Sequence, residues 1–178
     1  MKFFETKIIG SYLINLDLRG DQRGFFARTF CENEFQEMGL ESRFVQANIS
    51  YSATEGTLRG LHYQRYPHEE AKLVRCVKGA LFDVVLDLRP DSASFGKYHA
   101  VELTATNRSM IYVPQGCAHG FMTLRPGTEI MYLVTSSYSP KAEHGVRFDD
   151  PTFSIDWPMR PLEISEKDAN YPDYSFSK

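Results

Sequence analysis

The feature that most constrains the fold of this chain is a series of short apolar segments, each bounded by turn-forming residues. The clearest is Leu81–Leu88, where Asp83 and Asp87 fall on one face and four apolar side chains fall on the other. Alternation with a period of two is typical of a β-strand. Gly79 comes just before the segment and Pro90 just after it, as expected at turns. The segment is therefore predicted to be a strand.

Strand-like segments recur along the chain, whereas helical patterns are few. Only Glu32–Met38, closed by Gly39, has a clear helical pattern, and a helical turn is expected near Ser165. Many short strands at modest spacing predict an all-β protein, either a sandwich or a barrel, and alternation alone does not separate the two. The other predicted strands are Tyr98–Leu103, Met110–Val113 and Ile130–Val134.

Length, charge and cysteine content narrow the class of protein. A chain of 178 residues is predicted to form a single domain spanning 1–178, because two separate cores would be small. The net charge is −3 with both signs interspersed, which leaves no basic stripe for a nucleic acid. No apolar run reaches the roughly 18 residues of a membrane span, and the charged N-terminus does not resemble a signal peptide. Three widely spaced cysteines favour a reducing compartment. We therefore expect a cytoplasmic protein that binds neither nucleic acid nor membrane.

One candidate site lies in Leu58–Gln64, where polar and apolar residues are interleaved at strand spacing. Strict alternation would place Arg59 on one face and His62 on the other. The next predicted strand begins with Lys72. Burying a histidine and a lysine is costly without partners, and proteins tolerate that cost where the residues perform chemistry. A hydrogen-bonded structural histidine with an exposed lysine is the alternative, and it stays open at this point.

A second candidate site is Pro114–Phe121, whose Pro-x-Gly-x-x-His pattern resembles the second motif of cupin barrels. In metal cupins, that histidine joins a His-x-His pair and a glutamate around a metal. Here the pair is missing, since His62 is followed by Tyr63 and Gln64. His68 and Glu69 lie beside a proline in a predicted loop, a poor geometry for ligands. A tight site needs three or four ligands, so no metal is predicted.

Six motifs in order along the chain resemble the dTDP-4-dehydrorhamnose 3,5-epimerase family. The match runs from about Phe3 to Pro172, and the ordered set is far more specific than any one motif. The motifs are Asp21–Phe26, Gln46–Asn48, Leu58–Gln64, Phe82–Val84, Pro114–Phe121 and Ile155–Pro158.

The resemblance implies a cupin jelly roll, that is, a double-stranded β-helix with a few short helices, in a homodimer that exchanges N-terminal strands. It implies that His62 is the catalytic base, held by Asp168, and that Tyr132 is the opposing acid. Lys72 matches the cation beside the ketone oxygen. The implied substrate is a nucleotide-linked 4-keto-6-deoxyhexose, inverted at C3, C5 or both.

The resemblance also implies a set of substrate-binding residues. His119 and Tyr138 match pocket positions, and Arg23 would reach across from the partner subunit to the nucleotide. The remaining implied substrate-binding residues are Phe26, Arg28, Gln46, Asn48 and Arg59.

These residue types suit the implied reaction. A C–H next to a ketone is a weak acid, so its removal needs a base and a stabilised enolate. His62, with an ordinary pKa of roughly 6.5, can accept the proton near neutral pH, and a carboxylate partner fixes its tautomer. Lys72 would stabilise the enolate oxygen. The reaction involves no net redox change, and the sequence has no Gly-rich dinucleotide loop after a strand, so no cofactor is expected.

Each implied role has a structural alternative. Ser165–Asp168 also fits a variant of the helix capping box. Tyr132 lies in an apolar strand and could belong to the core, and His119 could be a hydrogen-bonded barrel histidine. His99 and His144 are expected at the surface.

The chain departs from the family pattern at Arg28. Thymidine-specific members commonly carry a carboxylate there, and a guanidinium cannot accept a hydrogen bond from a thymine N–H. CDP- and GDP-linked sugars, and inversion at C3 or C5 alone, therefore stay open. A 3,4-ketoisomerase, a metal-dependent cupin enzyme and a catalytically silent sugar-binding cupin are the remaining alternatives. The implied pathway makes deoxysugars for cell-surface polysaccharide or for a glycosylated metabolite.

Overall fold

The computed structural model describes residues 1–175, which form mostly β-strands with two short helices. The helices are α1 (Glu32–Glu37) and α2 (Glu166–Ala169). The strands are β1 (Lys2–Glu5), β2 (Tyr12–Asn15), β3 (Arg19–Asp21), β4 (Gly24–Phe26), β5 (Gln46–Ser52), β6 (Thr57–Gln64), β7 (Lys72–Lys78), β8 (Ala80–Asp87), β9 (Tyr98–Thr104), β10 (Met110–Val113), β11 (Cys117–Thr123), β12 (Thr128–Val134), β13 (Glu143–Gly145) and β14 (Glu163–Ile164). The all-β prediction is confirmed, and each predicted strand is present to within two residues at its ends.

Two main sheets form the body of the molecule. The first has the order β1-β2-β10-β7-β12-β5, and the second has the order β13-β6-β11-β8-β9. Neighbouring strands in both orders run antiparallel, and β14 adds to β6 in parallel. Strands distant in sequence are therefore adjacent in space, so the cavity between the sheets is lined by residues from across the chain.

The main core lies between the two sheets. Val74 and Ile111 contribute from the first sheet and Leu81, Val85 and Leu103 from the second, each at most 1% exposed. These residues alternate along their strands with residues that face outward, as the pleat of a strand requires. Removing this apolar surface from water is the main stabilising contribution to the fold.

The strand β8 is buried on both faces. Its Val84 and Leu86 pack outside the barrel against a cluster that includes Phe153 and Trp157. Asp83, on the opposite face, is 0% exposed. A buried carboxylate requires partners, and the partner of Asp83 belongs to the site described below.

Part of the outer face of the first sheet is covered by α1 and its flanking segments. Phe35 of α1 is fully buried and meets Phe30, Phe44 and Tyr112 edge to face, with ring centroids 5.1–6.2 Å apart. By contrast, the hairpin of β3 and β4 pairs only with itself within residues 1–175, and its strand residues are all exposed.

None of the helices in the part of the chain that the structure describes has the length and apolar character needed to cross a bilayer.

Candidate active site

An open cavity of about 580 Å³ lies between the sheets, and a neighbouring cavity of about 380 Å³ adjoins it. His62, Lys72 and Tyr132 line both, so the two cavities meet at these three side chains. The larger cavity is also lined by Ser50, Thr57, Leu58, Arg59, His119, Phe121, Ile130, Glu163, Ile164, Ser165, Lys167 and Asp168.

A β-bulge on β6 decides which of its side chains reach the cavity. His62 lies opposite His119 on β11, but Arg59 lies opposite Phe121, so β6 has one residue more than β11 over this stretch. The extra residue reverses the alternation, and Arg59 and His62 both line the cavity. The expectation that they lie on opposite faces is wrong for this reason. Gly60 allows the close approach, because a Cβ there would lie 2.5 Å from the Gly120 Cα.

His62 is paired with the carboxylate of Asp168. Its Nε2 lies 2.7 Å from Asp168 Oδ1, and the Gly60 N–H donates to Oδ2 at 3.1 Å. Asp168 is 3% exposed, whereas 31% of the His62 side chain is exposed toward the cavity. The carboxylate therefore accepts from both donors, and His62 Nδ1 is the ring nitrogen left to take a proton.

The capping interpretation of Ser165–Asp168 is also correct. Ser165 is the N-cap of α2, and its hydroxyl oxygen accepts the Asp168 backbone N–H at 3.1 Å. The cap and the histidine pair thus use different atoms of Asp168, since the backbone closes the helix and the side chain faces His62. One short helix holds the carboxylate in place.

The charge state of Asp168 follows from its surroundings. Burial alone would raise its pKa, but the hydrogen bond and charge attraction of His62, with smaller contributions from Gly60 and Ser165, lower the pKa below its ordinary value. Asp168 is therefore ionised at neutral pH.

Lys72 is not the exposed lysine of the structural alternative, because it is only 8% exposed. Its Nζ lies 3.2 Å from Glu70 Oε1 and donates to the His62 carbonyl oxygen at 3.3 Å. Gln64 Nε2 donates to the other Glu70 oxygen at 3.2 Å. A carboxylate absent from the sequence prediction, Glu70, thus fixes the ammonium group at the wall of the cavity.

Tyr132 lies at the junction of the two cavities and also packs against the main core. On β12 it sits between Val74 of β7 and Asn48 of β5. Burial and the negative charge of Glu70 raise the pKa of Tyr132, and Arg59 partly opposes them. The phenol therefore stays protonated well above neutral pH and is able to donate a proton.

His119 is both a hydrogen-bonded barrel histidine and a cavity residue. Its Nε2 lies 2.9 Å and 3.1 Å from the two oxygens of Asp83, and it is 7% exposed. As the cross-strand neighbour of His62, it borders the same cavity. Two histidine–carboxylate pairs therefore stand side by side on this sheet.

Three predicted substrate-binding residues line the smaller cavity: Gln46, Asn48 and Tyr138. The backbone N–H of Tyr138 donates to Gln46 Oε1 at 2.9 Å, and its hydroxyl donates to Glu143 Oε2 at 2.8 Å. Arg59 borders the larger cavity and donates from Nη2 to the Tyr51 carbonyl oxygen at 3.1 Å.

Three other predicted residues lie away from both cavities within the single chain. Arg23 pairs with Asp21 and leaves 86% of its side chain exposed. Phe26 is 66% exposed on the β3–β4 hairpin, and Arg28 lies 3.5 Å from Glu34. The single chain does not bring these residues to His62.

Sequence reasoning missed Lys167, which lines the larger cavity, and Glu143, which lines the smaller one; the two form an ion pair of 2.5 Å. Their only sequence signals were the position of Lys167 beside Asp168 and of Glu143 beside a histidine. His99 and His144, which were expected at the surface, are half-buried. Burial, followed by the charge of Lys7, lowers the pKa of His99.

Within residues 1–175, no three histidine, cysteine or acidic side chains converge in a way that could hold a metal ion.

Comparison with known proteins finds similar sequences that align with nearly the whole length of the chain. A model of the dTDP-4-dehydrorhamnose 3,5-epimerase family matches residues 5–175. A dTDP-4-dehydrorhamnose 3,5-epimerase of Methanothermobacter thermautotrophicus is 43% identical over 173 residues, which cover 96% of this chain and 92% of that protein.

Solved structures are also similar to this one over nearly the whole chain. The crystal structure of a dTDP-4-dehydrorhamnose 3,5-epimerase from Elizabethkingia anophelis has a TM-score of 0.95 and 41% identity, covering 98% of this chain and 96% of that one. An epimerase of Legionella pneumophila, solved in complex with dTDP-4-keto-L-rhamnose, has a TM-score of 0.89 and 37% identity, covering 96% and 90%.

These matches bear on the predictions made from sequence. The cupin-type jelly roll is confirmed by a structural neighbour that superposes over nearly all of the chain. The predicted enzyme class, an isomerase, is confirmed by relatives that are themselves epimerases. The chain belongs to the dTDP-4-dehydrorhamnose 3,5-epimerase family.

Proposed function

We propose that this protein inverts C3, C5 or both of a nucleotide-linked 4-keto-6-deoxyhexose by proton transfer through an enolate. The observation that carries the proposal is the His62–Asp168 pair at 2.7 Å, placed on a cavity wall with Lys72 and Tyr132. A base, a cation and a protonated phenol around one cavity are the groups that epimerisation beside a ketone requires.

In the first step, His62 Nδ1 takes the proton from the carbon beside the ketone. The C–H electron pair moves into the new carbon–carbon double bond, and the carbonyl pair moves onto oxygen to give an enolate. The Asp168 carboxylate stabilises the imidazolium that forms. Proton transfer to a positioned base contributes about 10²- to 10⁴-fold to the rate.

The enolate oxygen needs a positive charge at the moment it forms. Lys72 supplies it, since Glu70 and the His62 carbonyl oxygen hold its ammonium group at the cavity wall. A group fixed in advance does not need to reorganise during the reaction, which is why such electrostatic stabilisation is effective.

Inversion is completed by a proton from the opposite side. Tyr132 lies on the first sheet and His62 on the second, so a sugar between them meets one on each face. The phenol donates its proton to carbon as the enolate returns to ketone. The product has the composition of the substrate, and no electrons are gained or lost, so the reaction calls for no redox cofactor.

The identity of the nucleotide that carries the sugar depends on Arg28. The Legionella relative was solved with a dTDP-linked sugar. Arg28 in this chain pairs with Glu34, and a guanidinium cannot accept the hydrogen bond that the N3–H of thymine donates, whereas N3 of cytosine is an acceptor. We expect Arg28→Glu to raise kcat/KM for dTDP-linked relative to CDP-linked substrate. Arg43→Glu, the same charge change at another exposed position, leaves the ratio unchanged.

The proposal includes a homodimer. The exposed β3–β4 hairpin bears Arg23 and Phe26, which do not reach either of the two cavities around His62 in their own chain. β1 and β2 pair within their own sheet, so the hairpin is the N-terminal segment available for exchange with a partner. Ile49 and Met131, exposed neighbours on the outer face of the first sheet, offer apolar surface for a second copy. Analytical ultracentrifugation gives the mass that tests this.

We also place the protein in the cytoplasm, as one domain in deoxysugar synthesis. The two sheets share one core, which supports a single domain over 1–178. The three free cysteines are compatible with a reducing compartment.

The test is proton exchange in heavy water. The enzyme is incubated with dTDP-, CDP-, GDP- and UDP-linked 4-keto-6-deoxy sugars, and NMR records deuterium at C3 and C5 and the configuration of each carbon. We expect exchange with at least one nucleotide, and His62→Asn abolishes it. The carbons that exchange separate a 3,5-epimerase from an epimerase of one carbon. A 3-keto product would identify a ketoisomerase, and absence of exchange with every nucleotide would refute the proposal.

A further inference from the structure

The segment that follows α2 crosses behind the histidine–carboxylate pair. Its Tyr171 meets His62 edge to face, with ring centroids 6.3 Å apart and an interplanar angle of 70°. This geometry is one of the two that aromatic pairs prefer. Tyr171 does not line either of the two cavities around His62, so it contacts the base from the side away from the substrate space.

The neighbouring strand leaves room for this ring. Gly145 on β13 is the cross-strand partner of His62 on β6. A Cβ at Gly145 would lie 2.1 Å from Tyr171 Cε2 and 2.2 Å from Cζ, well inside contact distance. The ring of Tyr171 therefore rests on the bare backbone of β13 next to His62, a position that any side chain at 145 would block.

The backbone around Tyr171 is anchored on both sides. Arg147 Nη1 donates to the Tyr171 carbonyl oxygen at 3.1 Å, and Arg147 Nη2 lies 2.7 Å from Asp173 Oδ1. The Tyr174 N–H then donates to Asp150 Oδ2 at 2.6 Å. With the carbonyl of Tyr171 and the next residues held, the ring has little freedom to leave His62.

The hydroxyl of Tyr171 is not what fixes the residue. It is buried and makes no hydrogen bond of ordinary geometry among residues 1–175, although the ammonium group of Lys167 lies close enough to interact with it. Burial raises the pKa of Tyr171, so the phenol is neutral under ordinary conditions. The interaction with His62 is therefore one of ring packing.

We propose that Tyr171 is a positioning residue for proton transfer: its ring holds the plane of the His62 imidazole so that Nε2 stays on Asp168 and Nδ1 faces the substrate. The inference rests on the proposed roles of His62 and Asp168. Reacting groups must approach within about 3–3.5 Å in the right orientation, and a displacement of about 1 Å can cost about 10²-fold in rate. A base held on one side only by a carboxylate could still tilt about that hydrogen bond, and the ring prevents the tilt.

The experiment compares Tyr171→Leu, Tyr171→Phe and Tyr174→Leu. The control residue Tyr174 lies in the same segment and packs on Phe153. Each variant is measured for kcat and KM of deuterium exchange and for its thermal unfolding midpoint. We expect Tyr171→Leu to lower kcat about ten- to a hundredfold with little change in KM. Tyr171→Phe keeps the ring and restores kcat to near the wild-type value, and Tyr174→Leu lowers the unfolding midpoint without lowering kcat.

Three outcomes would overturn the inference. Wild-type kcat in a folded Tyr171→Leu variant would show that the ring does not position the base. An equal loss in Tyr171→Phe would assign the effect to the hydroxyl. An equal loss of kcat in Tyr174→Leu would show that the effect of Tyr171→Leu comes from general packing of the segment. Failure of the proposed function is a separate result, because it would appear as absence of exchange in the wild-type protein with every nucleotide, or as exchange that survives His62→Asn.

Discussion

Replacing Asp168 with asparagine tests the geometry of the catalytic pair most sharply. The carboxylate accepts two hydrogen bonds, from His62 Nε2 and from the Gly60 N–H. Asparagine has nearly the same shape but only one accepting oxygen. One of the two donors must therefore face the NH₂ group of the new side chain.

The orientation of the asparagine side chain depends on which of the two donors can give up its proton. Gly60 is a backbone amide and always donates, whereas neutral His62 can move its proton from Nε2 to Nδ1. A buried donor facing another donor costs about 1–3 kcal/mol. The asparagine oxygen therefore turns to Gly60, and His62 is driven to the tautomer protonated at Nδ1 by about 5- to 160-fold at 25 °C. In that tautomer the nitrogen required as the base already holds a proton.

We expect Asp168→Asn to lower kcat by about 10²- to 10⁴-fold, since the imidazolium also loses its negative partner. KM changes little, because the carboxylate faces His62 and Gly60. Deuterium exchange followed by NMR gives the rate, and ¹⁵N shifts of the labelled histidine report the tautomer. A variant with kcat within about threefold of wild type and Nδ1 still unprotonated would refute the reasoning.

Three further predictions use other parts of the site and core. Tyr132→Phe abolishes inversion but leaves deuterium exchange with retained configuration, because His62 can return a solvent deuteron to the same face. NMR of the product measures exchange and configuration separately, and an equal loss of exchange and inversion would contradict this role of Tyr132. Glu70→Gln removes a charge that raises the pKa of Tyr132, so the alkaline limb of the kcat profile moves to lower pH, and an unmoved limb would contradict the assignment. In the core, burial would raise the pKa of Asp87, but hydrogen bonds led by Arg89 lower it from 3.8 to about 2. A lowered folded pKa stabilises the protein above about pH 4, and this contribution is lost as pH falls toward 2. Asp87→Asn should therefore cost about 2 kcal/mol of unfolding free energy at neutral pH, with the difference shrinking below pH 4 in urea titrations.

The all-β class and most strand positions could be predicted from the sequence, because alternation in a strand is a local property. The segment Leu81–Leu88 shows both the strength and the limit of this signal. Its strand was predicted almost to the residue. Alternation did not indicate that Asp83 would be fully buried beside His119, since that depends on β11 pairing with β8.

The site was predicted mainly through motif resemblance, and the bulge on β6 explains where local reasoning failed. Strict alternation separated Arg59 from His62, but the extra residue on β6 puts both on the cavity. A bulge depends on how two strands register, and neither strand specifies that register alone. Glu70 could not be predicted as a site residue because it lies in the loop before β7. In a loop, the spacing of residues does not indicate in which direction a side chain points.

By itself, the sequence determined the strand pattern, the ordered family motifs and the residue types needed for proton transfer beside a ketone. The tertiary structure alone decided which atoms meet. It brought Asp168 within 2.7 Å of His62 across 106 residues of chain, and it set Tyr171 against the same imidazole. Contacts at that separation arise only when distant strands pair and the C-terminal segment packs on them, because no local rule links residues so far apart in sequence.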